Sequence, residues 1–151
     1  MANLKELSQK GTDAFNAHDA DALAELGAED IVATMPGSPE RRTLRGREES
    51  REYNQSWFDA FPDARITVVR ETIGEESVAT EAIFEGTNTG TFKTPMGDIP
   101  ATGKSVKGQY CLVVVVKDGK FSSTSLYFDM AQLMGDLGLM PAPAAPAAAS
   151  T

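Results

Sequence analysis

The order of hydrophobic patterns predicts an α+β fold, a curved antiparallel sheet packed on three helices, with a short C-terminal helix. Three observations carry this reading. Apolar residues recur at helical spacing through most of the first 60 residues, apart from a short strand-like run over 30–36. From residue 65 to 128 they follow strand-like patterns broken by turn signals. Helices first and a meander afterwards is the order of a sheet that closes over helices and leaves a cavity between them.

The elements follow in chain order. Leu4, Leu7, Gly11, Ala14, Phe15 and His18 share one helical face, which predicts a helix over 3–18. Asp19 reads as the N-cap of a short second helix carrying Leu23 and Leu26 and stopped at Gly27. Residues 30–36 read as a short strand, and Gly37 to Gly46, rich in Arg and Pro, as a loop. A third helix is expected over 47–60, with Tyr53, Trp57 and Phe61 at i, i+4 and i+8 and Pro62 after it. Strands are expected over 65–73, 77–86, 105–117 and 120–128, with a Gly/Pro/Thr-rich excursion from Gly86 to Gly103. Asp118-Gly119 is a hairpin turn signal. Met130, Leu133, Met134 and Leu137 then mark a last short helix with Gly138 as its stop. One domain over 1–140 is expected. The Pro/Ala/Ser segment 141–151 lacks the aromatic and β-branched residues that bury surface, so it reads as a disordered tail.

Composition removes several classes of function. At 151 residues the chain is long enough to close a core without metals or disulfides. Its 14 Lys+Arg against 22 Asp+Glu give a net charge of −8, and no basic stripe occurs, so neither nucleic acid nor an anionic membrane is an expected partner. Cys111 lies in an apolar run and reads as a buried thiol. With His18 the only histidine, far from it in a helix, no metal site and no catalytic thiol are expected. No secretory signal or apolar stretch long enough for a membrane is visible, which makes the cytoplasm the expected location. Arg41, Arg42, Arg45, Arg47 and Arg51 alternate with glutamates and read as a salt-bridged surface. The centre of strand 105–117 is apolar on both faces, so a homodimer through the outer face of the sheet is expected.

Phe61-Pro62-Asp63, Gly86-Thr87-Asn88-Thr89-Gly90, Ala101-Thr102-Gly103-Lys104, Asp118-Gly119-Lys120 and Tyr127-Phe128-Asp129, in this order, resemble the SnoaL-like polyketide cyclases. That family belongs to the nuclear-transport-factor-2-like, ketosteroid-isomerase-like folds, a cystatin-like roll. The resemblance implies an aldol-type ring closure or related proton transfer on a hydrophobic carbonyl compound, without metal or organic cofactor. It places the acid/base carboxylate at Asp129. Where many members carry a histidine, this chain has Asn88, which can hold an oxygen but cannot relay a proton at neutral pH.

Each candidate has two readings. Asp129 is either the catalytic carboxylate or the N-cap of the last helix, in the near capping box Asp129-Met-Ala-Gln132. Phe121, Ser123, Ser125, Tyr127 and Asp129 share one parity, which would form a pocket wall. Asn88 shares the parity of Val78, Thr80, Ala82 and Phe84, so it either reaches the cavity beside Phe84 or is a turn asparagine. Tyr53, Trp57 and Phe61 are core, pocket wall or both. Gln109, an amide among apolar neighbours, faces either the pocket or a subunit interface. A non-catalytic binding or dimerisation module, or an epoxide hydrolase or dehydratase, is the alternative function.

Overall fold

A computed structural model describes residues 3–36, 42–94 and 97–140. The predicted tail, 141–151, lies outside the described residues. Helices α1 (Leu4–Asn16) and α2 (Ala20–Leu26) open the chain. Asn3 accepts the N–H groups of Lys5 and Glu6, and Asp19 that of Ala22, satisfying amides that a helix start leaves without partners. Between them His18 takes a left-handed φ of 56° and turns the chain. Its Nε2 donates to the Ala64 carbonyl at 2.7 Å while its ring stacks on Phe58, so it ties α1 to the segment after the third helix.

Strand β1 (Gly27–Met35) follows, then β2 (Arg42–Arg45), where the sequence suggested loop. The single apolar residue of β2, Leu44, pairs with Ala33 and is buried, which is enough to seat a four-residue edge strand that its arginines hide. Helix α3 (Gly46–Ala60) comes next, then strands β3 (Arg65–Ile73) and β4 (Ser77–Thr87). The excursion after β4 contains a small hairpin, β5 (Phe92–Thr94) and β6 (Gly97–Ile99), held apart from the main sheet. Strands β7 (Ser105–Lys117) and β8 (Lys120–Phe128) form a long hairpin whose turn, Asp118-Gly119, has positive φ at both residues, as a type I′ turn requires. Helix α4 (Met130–Asp136) closes the fold, and Gly138 takes a positive φ just beyond it.

The main sheet has the order β2-β1-β8-β7-β4-β3 and is mixed, because β1 runs parallel to β8 while the other pairs are antiparallel. Two irregularities decide which side chains look inward. In β8, Val116 pairs with Phe121 but Val115 pairs with Ser123, so Ser122 is an extra residue and the parity flips after it. In β3, the register shifts between Val68 and Arg70, which puts Glu71 opposite Thr80 on the inner face. The inner face packs on the helices in two clusters. One joins Phe61, Phe92, Leu133 and Leu137, and the other joins Ala33, Met35 and Leu44.

Candidate functional site

A cavity of about 220 Å³ lies between the inner face of the sheet and helices α1, α3 and α4. Its walls are mainly apolar and aromatic, as a small-molecule site requires. Phe15, Trp57, Phe84 and Phe128 supply the rings. Trp57 is their hub, with the rings of Phe61, Phe84, Phe92 and Phe128 at 4.8–5.9 Å. These stacked, tilted and edge-to-face contacts fix ring positions, so the wall is pre-formed.

Helix α3 contributes Ser50, Tyr53, Asn54 and Trp57 to this wall, at i, i+3, i+4 and i+7. Burial pushes the Tyr53 phenol up to about 12, opposed by a hydrogen bond to Trp57 and by the nearby Arg42 charge. Burial keeps the phenol protonated, so its O–H is a donor. The buried Ser50 hydroxyl finds no hydrogen-bond partner among the described residues.

The opposite end is built by β7, β8 and α4. Asp129, Gln132, Leu133 and Asp136, on successive turns, border the cavity there. Asp129 is exposed and caps α4, its Oδ1 accepting Gln132 N–H at 3.0 Å. This carboxylate is therefore not deeply buried. Its Oδ2 has no hydrogen bond among the described residues, and the residue still edges the cavity. On β7, Tyr110 is paired with Phe128, the residue before Asp129, and its burial raises the phenol's pKa. The sequence reading passed over Tyr110, although its even parity with the buried Val106 and Val114 marks it as inward-facing. Gln132 and Asp136 were legible in the same way from helical spacing after Asp129.

Of the candidates, the structure gathers Tyr53, Trp57, Phe84 and Asp129 around the cavity. It moves others away. Asn88 does face inward as its parity predicts, and it is 0% exposed, but it lies under the end of α3 rather than in the cavity. Its Nδ2 donates to Ala60 O and Gly90 O, and its Oδ1 accepts from Thr102 N and Oγ1, all at 2.9–3.0 Å. Every hydrogen-bonding position of the amide is taken, so Asn88 has nothing left to offer a substrate oxygen. The flanking glycines serve the same junction. A Cβ on Gly90 would sit 1.8 Å from Asp59 O, and one on Gly86 would press on Phe61 at 3.1 Å. Phe61 is 0% exposed and belongs to the core, not to the cavity wall. Tyr127 is 50% exposed, because the Ser122 bulge turns Thr124, Leu126 and Phe128 inward in place of the predicted residues. Gln109 borders the cavity yet is exposed, alternating with Lys107 on the outer side of β7.

One inner-face carboxylate was invisible to strand parity. Glu71 accepts a 2.5 Å hydrogen bond from Ser8, which also lies 3.5 Å from Thr80. Ser8 and Thr80 line the cavity, so this cluster forms part of its α1 side.

Among the described residues no helix is long and apolar enough to cross a membrane. The sequence profile of the SnoaL-like polyketide cyclases matches residues 5–137. No curated protein matches the sequence. Several solved structures are similar. A candidate SnoaL-like polyketide cyclase from Jannaschia sp. CCS1 superimposes with a TM-score of 0.78 at 18% identity, covering 91% of this chain and 92% of its own. IdmH, a candidate polyketide cyclase from Streptomyces antibioticus, is 26% identical with a TM-score of 0.70, over 89% and 97% of the two chains. A protein of ketosteroid-isomerase-like fold from Catenulispora acidiphila, solved with trimethylamine, gives a TM-score of 0.73 at 16% identity over 93% and 100%. The profile match over most of the chain, joined to the same curled sheet over helices, places this protein in the SnoaL-like polyketide cyclase family, with a ketosteroid-isomerase-like fold.

Proposed function

We propose that the protein is a cofactor-independent cyclase or isomerase that moves a proton beside a carbonyl group of a hydrophobic, polyketide-like compound. The observation that carries this reading is the aromatic cavity whose edge holds the Asp129 carboxylate, with an oxygen that has no hydrogen bond among the described residues. Asp129 takes the proton from the carbon next to the carbonyl. Tyr110, beside it through the β7–β8 register, donates a hydrogen bond to the enolate oxygen that forms. Its raised pKa keeps it protonated at neutral pH. In a ring closure the enolate carbon attacks a second carbonyl carbon, and the new alkoxide recovers the proton from Asp129. In an isomerisation the proton returns to a different carbon.

The experiment needs no knowledge of the natural substrate. In D₂O, the protein should accelerate exchange of the hydrogens next to the carbonyl of 1-tetralone, followed by proton NMR. Binding without any acceleration would defeat the catalytic reading. A second reading, a non-catalytic binding module, is favoured by one observation: Asp129 is exposed and already occupied as a cap. An epoxide hydrolase relying on an arginine is less well supported, since none of the described residues lining the cavity is Arg or Lys.

The partner surface we propose is the outer face of β4 and β7, where Ile83, Cys111, Val113 and Val115 are only half-buried. A homodimer through this face should sediment at about twice the 16.1 kDa chain mass at micromolar concentration. A single species at chain mass would remove it.

A further inference from the structure

The cavity has a second polar end that the proton transfer does not use. Ser50 and Tyr53 are one turn apart on α3 and both line the cavity. Ser50 has a buried hydroxyl with no partner among the described residues. A buried polar group without a partner is costly, and native proteins keep few of them without a use. Tyr53 lines the cavity beside Ser50, and burial keeps its phenol protonated and so able to donate. Ser50 lies away from the α4 end, with Tyr53 between it and Trp57 on the helix. Trp57 packs in the cluster that contains Met130 and Leu133 of α4, and Ser50 lies two helical turns before it, roughly 10 Å along the axis. Tyr53 packs instead against Ala33, Met35 and Leu44 at the β1–β2 end.

We propose that Ser50, with Tyr53, recognises a second oxygen of the ligand, a hydroxyl or carbonyl remote from the one beside Asp129. The inference rests on the cavity being a small-molecule site and adds a feature of the substrate class. The ligand is a fused-ring or extended compound with an oxygen at each end, apolar between. The two donors at the α3 end hold the far oxygen and so set which carbon is presented to Asp129. A ligand with one oxygen could seat itself either way round.

The test compares 1-tetralone with 6-hydroxy-1-tetralone, which carries a second oxygen at the far side of the ring system. Binding is read from the fluorescence of Trp57, the only tryptophan in the chain, which lies in the cavity wall. The wild-type protein should prefer the hydroxylated ketone by about five- to tenfold, the scale of one good hydrogen bond. Ser50→Ala should abolish that preference while leaving 1-tetralone affinity within about twofold, and should leave the thermal midpoint of the ligand-free protein level or higher. A preference that survives Ser50→Ala, or an equal loss for both ketones, would overturn the assignment while leaving the cavity reading standing. A fall of several degrees in the variant's midpoint would show the hydroxyl to be structural and overturn it too. If wild-type protein bound neither ketone, the cavity reading itself would fall and the inference with it.

Discussion

The Asn88 junction and the α3 wall of the cavity both bury polar side chains, and they treat them in opposite ways. At the junction, one amide makes four hydrogen bonds to three separate segments of the chain, and two glycines let the backbones close on it. On the α3 wall, the Ser50 hydroxyl is buried with no partner among the described residues and the Tyr53 phenol retains a donor. A saturated buried amide is architecture, because any further partner would have to displace one already there. An unsaturated hydroxyl on a void is a group whose partner comes from outside the chain. Asn88, with all four hydrogen-bonding positions taken, is of the first kind. Its role here is to fasten the β4–β5 excursion to the end of α3.

The largest effect is expected at the saturated site. Asn88→Ala strips partners from the Ala60 and Gly90 carbonyls and from Thr102, deep in the protein, and should cost about 3 kcal/mol or more. Urea unfolding measures it. A loss below about 1 kcal/mol would show that the junction tolerates gaps, and the contrast with Ser50 would fail.

A smaller effect is expected at Asp63, at the same junction but exposed. Its carboxylate accepts the Thr87 N–H at 2.7 Å, and this hydrogen bond holds its pKa below the ordinary aspartate value. A depressed folded-state pKa stabilises the fold above the unfolded-state pKa, and the contribution disappears as pH falls through the folded-state value. Asp63→Asn should therefore cost about 1 kcal/mol or less near neutral pH, given solvent screening. The gap from wild type should close below about pH 4. A gap that stays constant down to pH 2 would assign the effect to something other than the ionised carboxylate. At the far end of the scale, Ser50→Ala should cost the ligand-free protein nothing.

Local signals were legible where the cause is local. Helix faces, the Asp19 and Asp129 caps and the Asp118-Gly119 turn each depend on residues within a few positions, and all occur as read. Parity arguments survived only as far as the register did. In β4, which pairs with β7 without a shift, Val78, Thr80 and Ala82 are buried as expected, and so is Asn88 just beyond its end. In β8 one inserted residue, Ser122, reversed the assignment and sent Tyr127 outward. A bulge of that kind leaves no mark in the hydrophobic pattern when it falls in a polar run such as Ser122-Ser123-Thr124. The same holds for Glu71, carried inward by the irregularity of β3. Asn88 could be placed inside but not assigned a task, since its partners come from residues 60, 90 and 102. Tyr110 was readable from parity alone, and the apolar run around it drew attention to packing instead.

The central claim is that Asp129 is a proton-transfer group as well as a cap. The most direct measurement is the rate of hydrogen–deuterium exchange next to the carbonyl of 1-tetralone, with wild type, Asp129→Asn and Asp129→Ala compared alongside their melting curves. Asn caps a helix about as well as Asp, so Asp129→Asn should melt like wild type yet exchange about 10²-fold more slowly. Asp129→Ala should lose the same activity and also about 1 kcal/mol of stability. Exchange at the wild-type rate in Asp129→Asn would contradict the account and leave Asp129 as a helix cap alone.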